Sequence, residues 1–275
     1  MVSIRKKGPM HHLFNAMNRN NPYRQFNRYR YAWNLVPEGI ENLLDYGCSN
    51  GKFTNSLKFK VKNLFGIDVD EEAIYEAKEL YPYINFSPIK INSNKTDFPD
   101  NFFDVVTILD VIEHVPDEKE TLKEIHRILK PGGLIILSAP HKGIFTFCDV
   151  GNIKFRFPKL HKFIYFHLLK QEDYYLKRFN NRSRGLIGDI SISKYMFHKH
   201  YTLKELLLLM GPEFSIIGCK RFGLFHRCIG VIHFVYRWIL GKPNKFLEKI
   251  DSIDQSLSFG WAADNIILVA SCKKK

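Results

Sequence analysis

The chain has 275 residues, of which 45% are hydrophobic and 25% charged, proportions that exclude bulk disorder and a fibrous repeat. The net charge is +13, and the length suits one elaborated domain or two small ones. Five cysteines stand far apart without a C-x-x-C pair, which argues against a disulfide scaffold and a cysteine zinc site and makes a reducing cytosol the expected compartment.

The charge is unevenly spread. Residues 1–37 carry seven bases and no acid, residues 38–140 carry 11 bases and 18 acids, and residues 141–200 carry 12 bases and four acids. Basic flanks of this kind attract phosphates on nucleic acid, lipid head groups or a small substrate; a solvated surface is the plain alternative. The start of the chain has no apolar run of secretory type. The most apolar stretch, CIGVIHFVYRWIL at 228–240, is interrupted by His233 and Arg237 and is too short to cross a bilayer.

In chain order, residues 20–37 mix aromatics with arginines and read as helix up to Pro37. Asn42–Tyr46 reads as a buried strand, followed by a turn over Gly47–Gly51 and a helix over Lys52–Phe59. Asn63–Ile67 is a second strand, Asp70–Leu80 a helix with an acidic start, and Ile84–Ser87 a third strand. Asp104–Leu109 is a strand rich in β-branched residues. Asp117–Leu129 is a helix stopped by Pro131-Gly132-Gly133, and Leu134–Ser138 is a fifth strand. Strands alternating with helices predict a doubly wound α/β fold, with helices on both faces of a parallel sheet and a ligand crevice beyond the strands' carboxyl ends.

After His141 the alternation stops. Residues 142–200 hold 12 aromatics, and Leu160, Phe163, Ile164 and Leu168 share one helical face near Lys159, Lys162 and Lys170. Thr202 with Glu205 predicts a capping box, Phe214–Cys219 a strand, residues 224–249 one or two helices, and Asn265–Ser271 a last strand. The reading divides the chain into a basic N-terminal helical segment (1–37), a cofactor-binding core (38–141), a substrate-covering insertion (142–200) and a C-terminal completion of the sheet with an amphipathic helical segment (201–275).

The turn LDYGCSNGKF at 44–53 carries the main chemical signal. Gly47 permits a tight turn and Gly51 a close helix start, where amides can hold an anion. A dinucleotide turn needs glycine where this chain has Ser49 and Lys52, so that fingerprint fails. Asp45 at the strand end favours a ligand bearing a positive group. Asp68, at the end of the second strand, can accept from both hydroxyls of a ribose.

Taken together, LLDYGCSNGKF at 43–53, GIDVD at 66–70, FDVVTILDVIEHVPD at 103–117 and EIHRILKPGGLIILSAPH at 124–141 resemble the class I S-adenosylmethionine-dependent methyltransferases. The likeness covers residues 40–141, and HKHYTLKELLLLM at 198–210 and the closing IDQSLSFGWAADNIILVASCKK at 253–274 resemble that family's return to the sheet and its final hairpin. It implies a Rossmann-like sheet of seven mostly parallel strands with an antiparallel last strand and a helical, aromatic insertion after the fifth. It also implies that S-adenosyl-L-methionine is the cofactor. Gly47, Cys48, Ser49 and Gly51 would wrap its methionine part, and Asp45 would lie near its amino group. Asp68, followed by Val69, would bind the ribose, Leu109, Asp110 and Val111 would line the pocket, and Asn92 would meet the adenine amine. Ser49 departs from the glycine usual in the family, and Asn92 from an aspartate. The Glu113-His114 pair resembles enzymes acting on small molecules and lipids, quinone O-methyltransferases among them.

Methyl transfer to a hydroxyl needs a base to remove a proton, and histidine suits this near neutral pH. His141 is the first candidate because it follows the fifth strand, and His114 the second; His198, His200 and the carboxylate of Asp149 are alternatives. The H-x-H at 198–200 alone is no metal signature, so no metal is expected. The expected acceptor is a hydroxyl on an anionic small molecule, lipid-linked compound or glycan. The expected location is cytoplasmic; residues 222–247 read either as a core helix against the sheet or as a segment in peripheral contact with the inner face of a membrane. Two alternatives are weighed: an RNA methyltransferase using Arg24, Arg28, Arg30 and the interleaved Tyr23, Tyr29 and Tyr31, and a non-catalytic cofactor-binding protein.

Overall fold

The computed structural model describes residues 14, 18, 20–90, 95–149, 157–168, 170–176 and 199–274. Helix α1 (Arg28–Leu35) leads into β1 (Ile40–Tyr46), α2 (Lys52–Ser56), β2 (Val61–Asp68), α3 (Glu71–Leu80) and β3 (Asn85–Pro88). Next come β4 (Phe103–Leu109), α4 (Glu118–Ile128) and β5 (Leu129–Pro140). A 3-10 helix (Ile144–Cys148), α5 (Pro158–Phe163) and α6 (Glu172–Tyr175) follow, and then α7 (Leu203–Met210), β6 (Phe214–Phe222), α8 (His226–Leu240), α9 (Lys245–Ser256) and β7 (Asn265–Cys272).

The seven strands form one sheet in the order β3-β2-β1-β4-β5-β7-β6. All neighbours are parallel except β7, which runs antiparallel to both β5 and β6. This is a doubly wound, Rossmann-like sheet whose strand order switches sides between β1 and β4, and the crevice of such a sheet opens at that switch. Side chains alternate between the faces, as a period of two requires. Leu43, Val105, Ile136 and Ile267 face a core shared with α1, α2 and α3. Leu44, Val106, Ile135 and Ile266 face a second core shared with α4 and α7.

Caps set the helix starts. Asp70 accepts from the amides of Glu72 and Ala73, and Asp117 from those of Lys119 and Glu120. Thr202 and Glu205 form the reciprocal capping box. One boundary differs from expectation. Pro131-Gly132-Gly133 lies inside β5, and the register against β4 breaks beside it between Phe103 and Val105. The helix stops at Ile128 because the strand already begins at Leu129, so the glycines form a bulge within the strand.

Helix α1 is shorter than the pattern suggested, because Asn27 caps it by accepting from the Arg30 amide. Its residues are used inside the molecule. Tyr31 has no exposure, meets Phe222 edge-on at 4.8 Å and donates its hydroxyl to the Gln255 carbonyl at 2.6 Å. Arg30 donates to the carbonyls of Tyr23 and Arg24. Lys60 Nζ closes the helix by donating to the carbonyls of Trp33 and Val36 (2.7 and 2.6 Å), and burial pushes its pKa down to about 8. The arginine and tyrosine pattern that suggested an RNA surface is therefore largely consumed by packing. Tyr31→Ala is expected to destabilise the fold by about 3–5 kcal/mol in urea unfolding, the range for removing a large buried aromatic.

Candidate active site

The turn after β1 is built from left-handed residues: Gly47 (φ 82°), Ser49 (φ 49°) and Gly51 (φ 73°). A Cβ on Gly47 would lie 2.2 Å from Val111 Cγ2, and one on Gly51 would lie 2.4 Å from the Phe86 ring. Both glycines are thus demanded twice, by backbone and by space. Ser49 tolerates its conformation at a modest strain cost, which gives a physical reason for glycine being usual there. The Gly47 and Cys48 amides both donate to the Ile67 carbonyl (2.7 and 3.0 Å), which ties the turn to β2.

Asp45 lies beneath the turn at 3% exposure. Thr54 Oγ1 donates to Oδ2 at 2.6 Å and Thr107 Oγ1 to Oδ1 at 2.8 Å. Burial pushes its carboxyl up to about 6, against the pull of the two hydroxyls. Asp68 ends β2 at the same level. Its Oδ2 accepts from the Ser49 amide at 2.7 Å and its Oδ1 from the Asp70 amide at 3.0 Å. Burial raises its pKa as well. Cys48 is buried beside the turn, and burial raises its thiol's pKa. Val69 is more than a third exposed. Beyond β2 and β3, a cavity of about 420 Å³ is lined by Ile67, Ser87, Ile89, Lys95 and Phe98. It adjoins Asp68, which is paired with Pro88. Asn92 lies outside the described residues.

At the end of β4, Leu109 is buried and Asp110 is held left-handed at φ 54°. A non-glycine residue in that region stores strain, which concentrates at functional positions. Asp110 Oδ1 accepts from Ser138 Oγ at 2.6 Å, and Oδ2 pairs with Arg28 Nη1 at 3.0 Å. Burial alone would lower the Arg28 pKa; the Asp110 carboxylate, together with Tyr29 and Glu113, more than offsets this and holds the guanidinium charged. In the sequence Arg28 stands out only in the alternative reading, as part of an RNA-binding surface. Its place at the crevice depends on how α1 packs, and no local motif announces that.

Glu113 is buried, and burial followed by repulsion from Asp110 raises its pKa. His114 stands beside it, with Nε2 3.8 Å from Glu113 Oε1, and keeps a quarter of its side chain exposed. His141 is 2% exposed, its Nδ1 donates to the Ala263 carbonyl at 2.7 Å, and burial lowers its pKa. Its own carbonyl accepts from Arg227. This geometry makes His141 an anchor for the end of β5. His200 is brought to the same strand end because Tyr201 pairs with His141: the Tyr201 amide donates to Pro140 O and the Lys142 amide to Tyr201 O, both at 2.9 Å. His200 Nε2 lies 2.8 Å from Asp149 Oδ2, and both side chains are largely buried. His198 lies outside the described residues. Among the described residues no group of three or more His, Cys, Asp or Glu side chains is arranged to hold a metal ion.

The donor set fits a nucleoside carrying an amino acid. Asp68 beside amides of the turn suits sugar hydroxyls. The Arg28–Asp110 pair offers both signs of charge needed by a carboxylate and an ammonium group.

Residues 44–137 match the family model of a methyltransferase domain. The fold resembles that of YcgJ from Bacillus subtilis, with a TM-score of 0.53 at 14% identity, covering 90% of this chain and 98% of that one. It also resembles an S-adenosylmethionine-dependent methyltransferase from Mesorhizobium loti, with a TM-score of 0.52 at 15% identity, covering 89% and 98%. Residues 44–137 are thus a methyltransferase domain of the class I type, a class whose methyl donor is S-adenosyl-L-methionine. In sequence the chain is similar to the ubiquinone biosynthesis O-methyltransferase of Colwellia psychrerythraea, at 33% identity over 147 residues, and to that of Pseudomonas aeruginosa, at 29% over 138 residues. These alignments cover 49% and 47% of this chain and 58% and 59% of the relatives' own lengths.

Two outcomes are expected. Asp68→Ala should weaken cofactor binding in calorimetry by about ten- to a hundred-fold, through loss of charge-assisted bonds, and Gly47→Val should abolish it. In pH-dependent unfolding, the wild type should lose stability relative to Asp45→Asn as pH rises from about 4 to about 6, and the gap should stay constant above that. The folded carboxyl keeps its proton across this window while the unfolded one has released it, so folding binds a proton and is weakened as protons become scarce.

Proposed function

We propose that the chain methylates a hydroxyl on an anionic small molecule, lipid-linked compound or glycan, with S-adenosyl-L-methionine as donor. The observation that carries this reading is the His200–Asp149 pair at the end of β5, beyond the turn and facing the same strand ends as Asp110, Glu113 and His114. Similarity to O-methyltransferases across a little less than half of the chain supports it.

When bound, the cofactor supplies a methyl group already activated on a sulfonium, so the protein's work is alignment. Asp68 would hold the ribose hydroxyls, and the cavity beside it would take the base. Arg28 would hold the amino acid's carboxylate and Asp110 its ammonium group, each exchanging part of the present ion pair for a ligand contact. Gly47 and Gly51 let the turn's backbone approach without a Cβ in the way. Asp149 Oδ2 lies 2.8 Å from His200 Nε2, so its carboxylate would stabilise the imidazolium formed when His200 takes the acceptor's hydroxyl proton. His200 is preferred to His141 because the latter already donates Nδ1 to a carbonyl in the core.

Incubation with radiolabelled cofactor and fractionated cell extract should carry label into a lipid, glycan or small-molecule fraction; label in RNA or protein would overturn the acceptor class. His200→Ala should lower kcat by about 100- to 10,000-fold with cofactor affinity unchanged. An unchanged rate in that variant together with loss in His114→Ala or His141→Ala would reassign the base.

A further inference from the structure

Helix α8 begins inside the molecule and then leaves it. In its first turn Arg227 donates to the carbonyls of His141 and Asp264, Ile229 is buried, and Cys228 Sγ lies 3.6 Å from Cys148 Sγ. From residue 230 to residue 253 no described side chain is buried. That stretch is nonetheless apolar. Ile232, Val235 and Ile239 share one face of α8 at i, i+3, i+7 spacing, and Phe246, Ile250 and Ile253 share one face of α9 at i, i+4, i+7. Ile239 and Phe246, on either side of the turn between the helices, are 66% and 69% exposed.

Exposed cations ring this surface. Arg237, Lys242, Lys245 and Lys249 stand against a single carboxylate, Glu248, within residues 230–250. Two of the lysines lie between Ile239 and the end of the first turn of α9, so apolar and positive side chains alternate at the tip.

We infer that the α8–α9 hairpin docks on the surface of an anionic lipid bilayer, its apolar stripes entering the acyl boundary and its cations meeting the head groups. A bilayer with acidic lipids offers an apolar layer directly beneath a negative one, which matches this arrangement of side chains. Crossing is ruled out for α8. At about 1.5 Å per residue its 15 residues reach about 22 Å, short of a hydrocarbon core of about 30 Å, and no described helix is long and apolar enough to span. The helix therefore lies in the interface.

Docking there would bring the crevice to the lipid surface. The first turn of α8 touches the 3-10 helix through Cys148, and Cys148 precedes Asp149, the partner of His200. Phe225, just ahead of α8, packs on Phe145 at 5.3 Å, and Phe147 beyond it is exposed. The apolar surface thus runs from the hairpin toward the rim of the site.

The test is vesicle co-sedimentation of the full chain without cofactor or acceptor, so that its result is independent of the methyl-transfer reading. Vesicles of phosphatidylcholine with about 30% phosphatidylglycerol should retain the protein, and pure phosphatidylcholine should not. Ile239→Asp with Phe246→Asp, and separately Lys242→Glu with Lys245→Glu, should each weaken retention at least about ten-fold, while melting temperature and cofactor affinity stay at wild-type values. Equal retention on both vesicle types, or undiminished retention of either double variant, would overturn the inference. So would a wild type that fails to bind vesicles but forms a dimer which the apolar double variant turns into a monomer, since a second copy would then cover the face.

Discussion

A buried carboxyl sits where β1, α2 and β4 meet, and the site is arranged around it. Asp45 is almost wholly out of water, and an unpaired polar group there would cost the fold more than a typical hydrogen bond returns. Thr54 and Thr107 satisfy it from the neighbouring helix and strand. Those two bonds fix the height at which the turn leaves β1 and the angle at which α2 starts. The turn's amides then fall against Ile67 and Asp68, so that the second strand's acid sits level with the first strand's glycines. Close approach finishes the arrangement: Val111 fills the space a side chain on Gly47 would need.

Much of this was legible in the sequence, for reasons that can be named. Elements with local signatures were readable: the period-two strands, the caps at Asp70, Asp117 and Thr202, and the glycine turn. Their information is contained within a few residues. The Pro131-Gly132-Gly133 run was read as a helix stop, because a proline and two glycines signal an end without saying what begins; pairing with β4 made it a bulge inside β5. Arg28 was read as surface because nothing nearby in sequence shows that α1 lies over the end of β4. His141 attracted attention by following the fifth strand, yet the Ala263 carbonyl that occupies its Nδ1 comes from a segment 122 residues away. The His200–Asp149 pair is legible only after Tyr201 is known to pair with the end of β5.

The same distinction runs through the apolar segments. The strands and the first hairpin helix are both rich in apolar residues, but the strands are covered on both faces and the hairpin is not. Sequence hydrophobicity reports that a surface wants covering. Only the fold shows which surfaces the chain covers by itself.

The clasp between the two ends of the chain has a consequence for biosynthesis. Tyr31 is bonded to Gln255 and the Phe26 amide to Ser252, contacts that span more than 220 residues. Arg28 lies between them in sequence and reaches its place over the strand ends with α1. While the protein is being translated, its first helix can rest on Lys60 and the early core, but its outer clasp is missing until the ninth has emerged from the ribosome, long after the glycine turn and its acid are available. A nascent chain holds half a binding site, and the clasp that secures the cationic half arrives almost last.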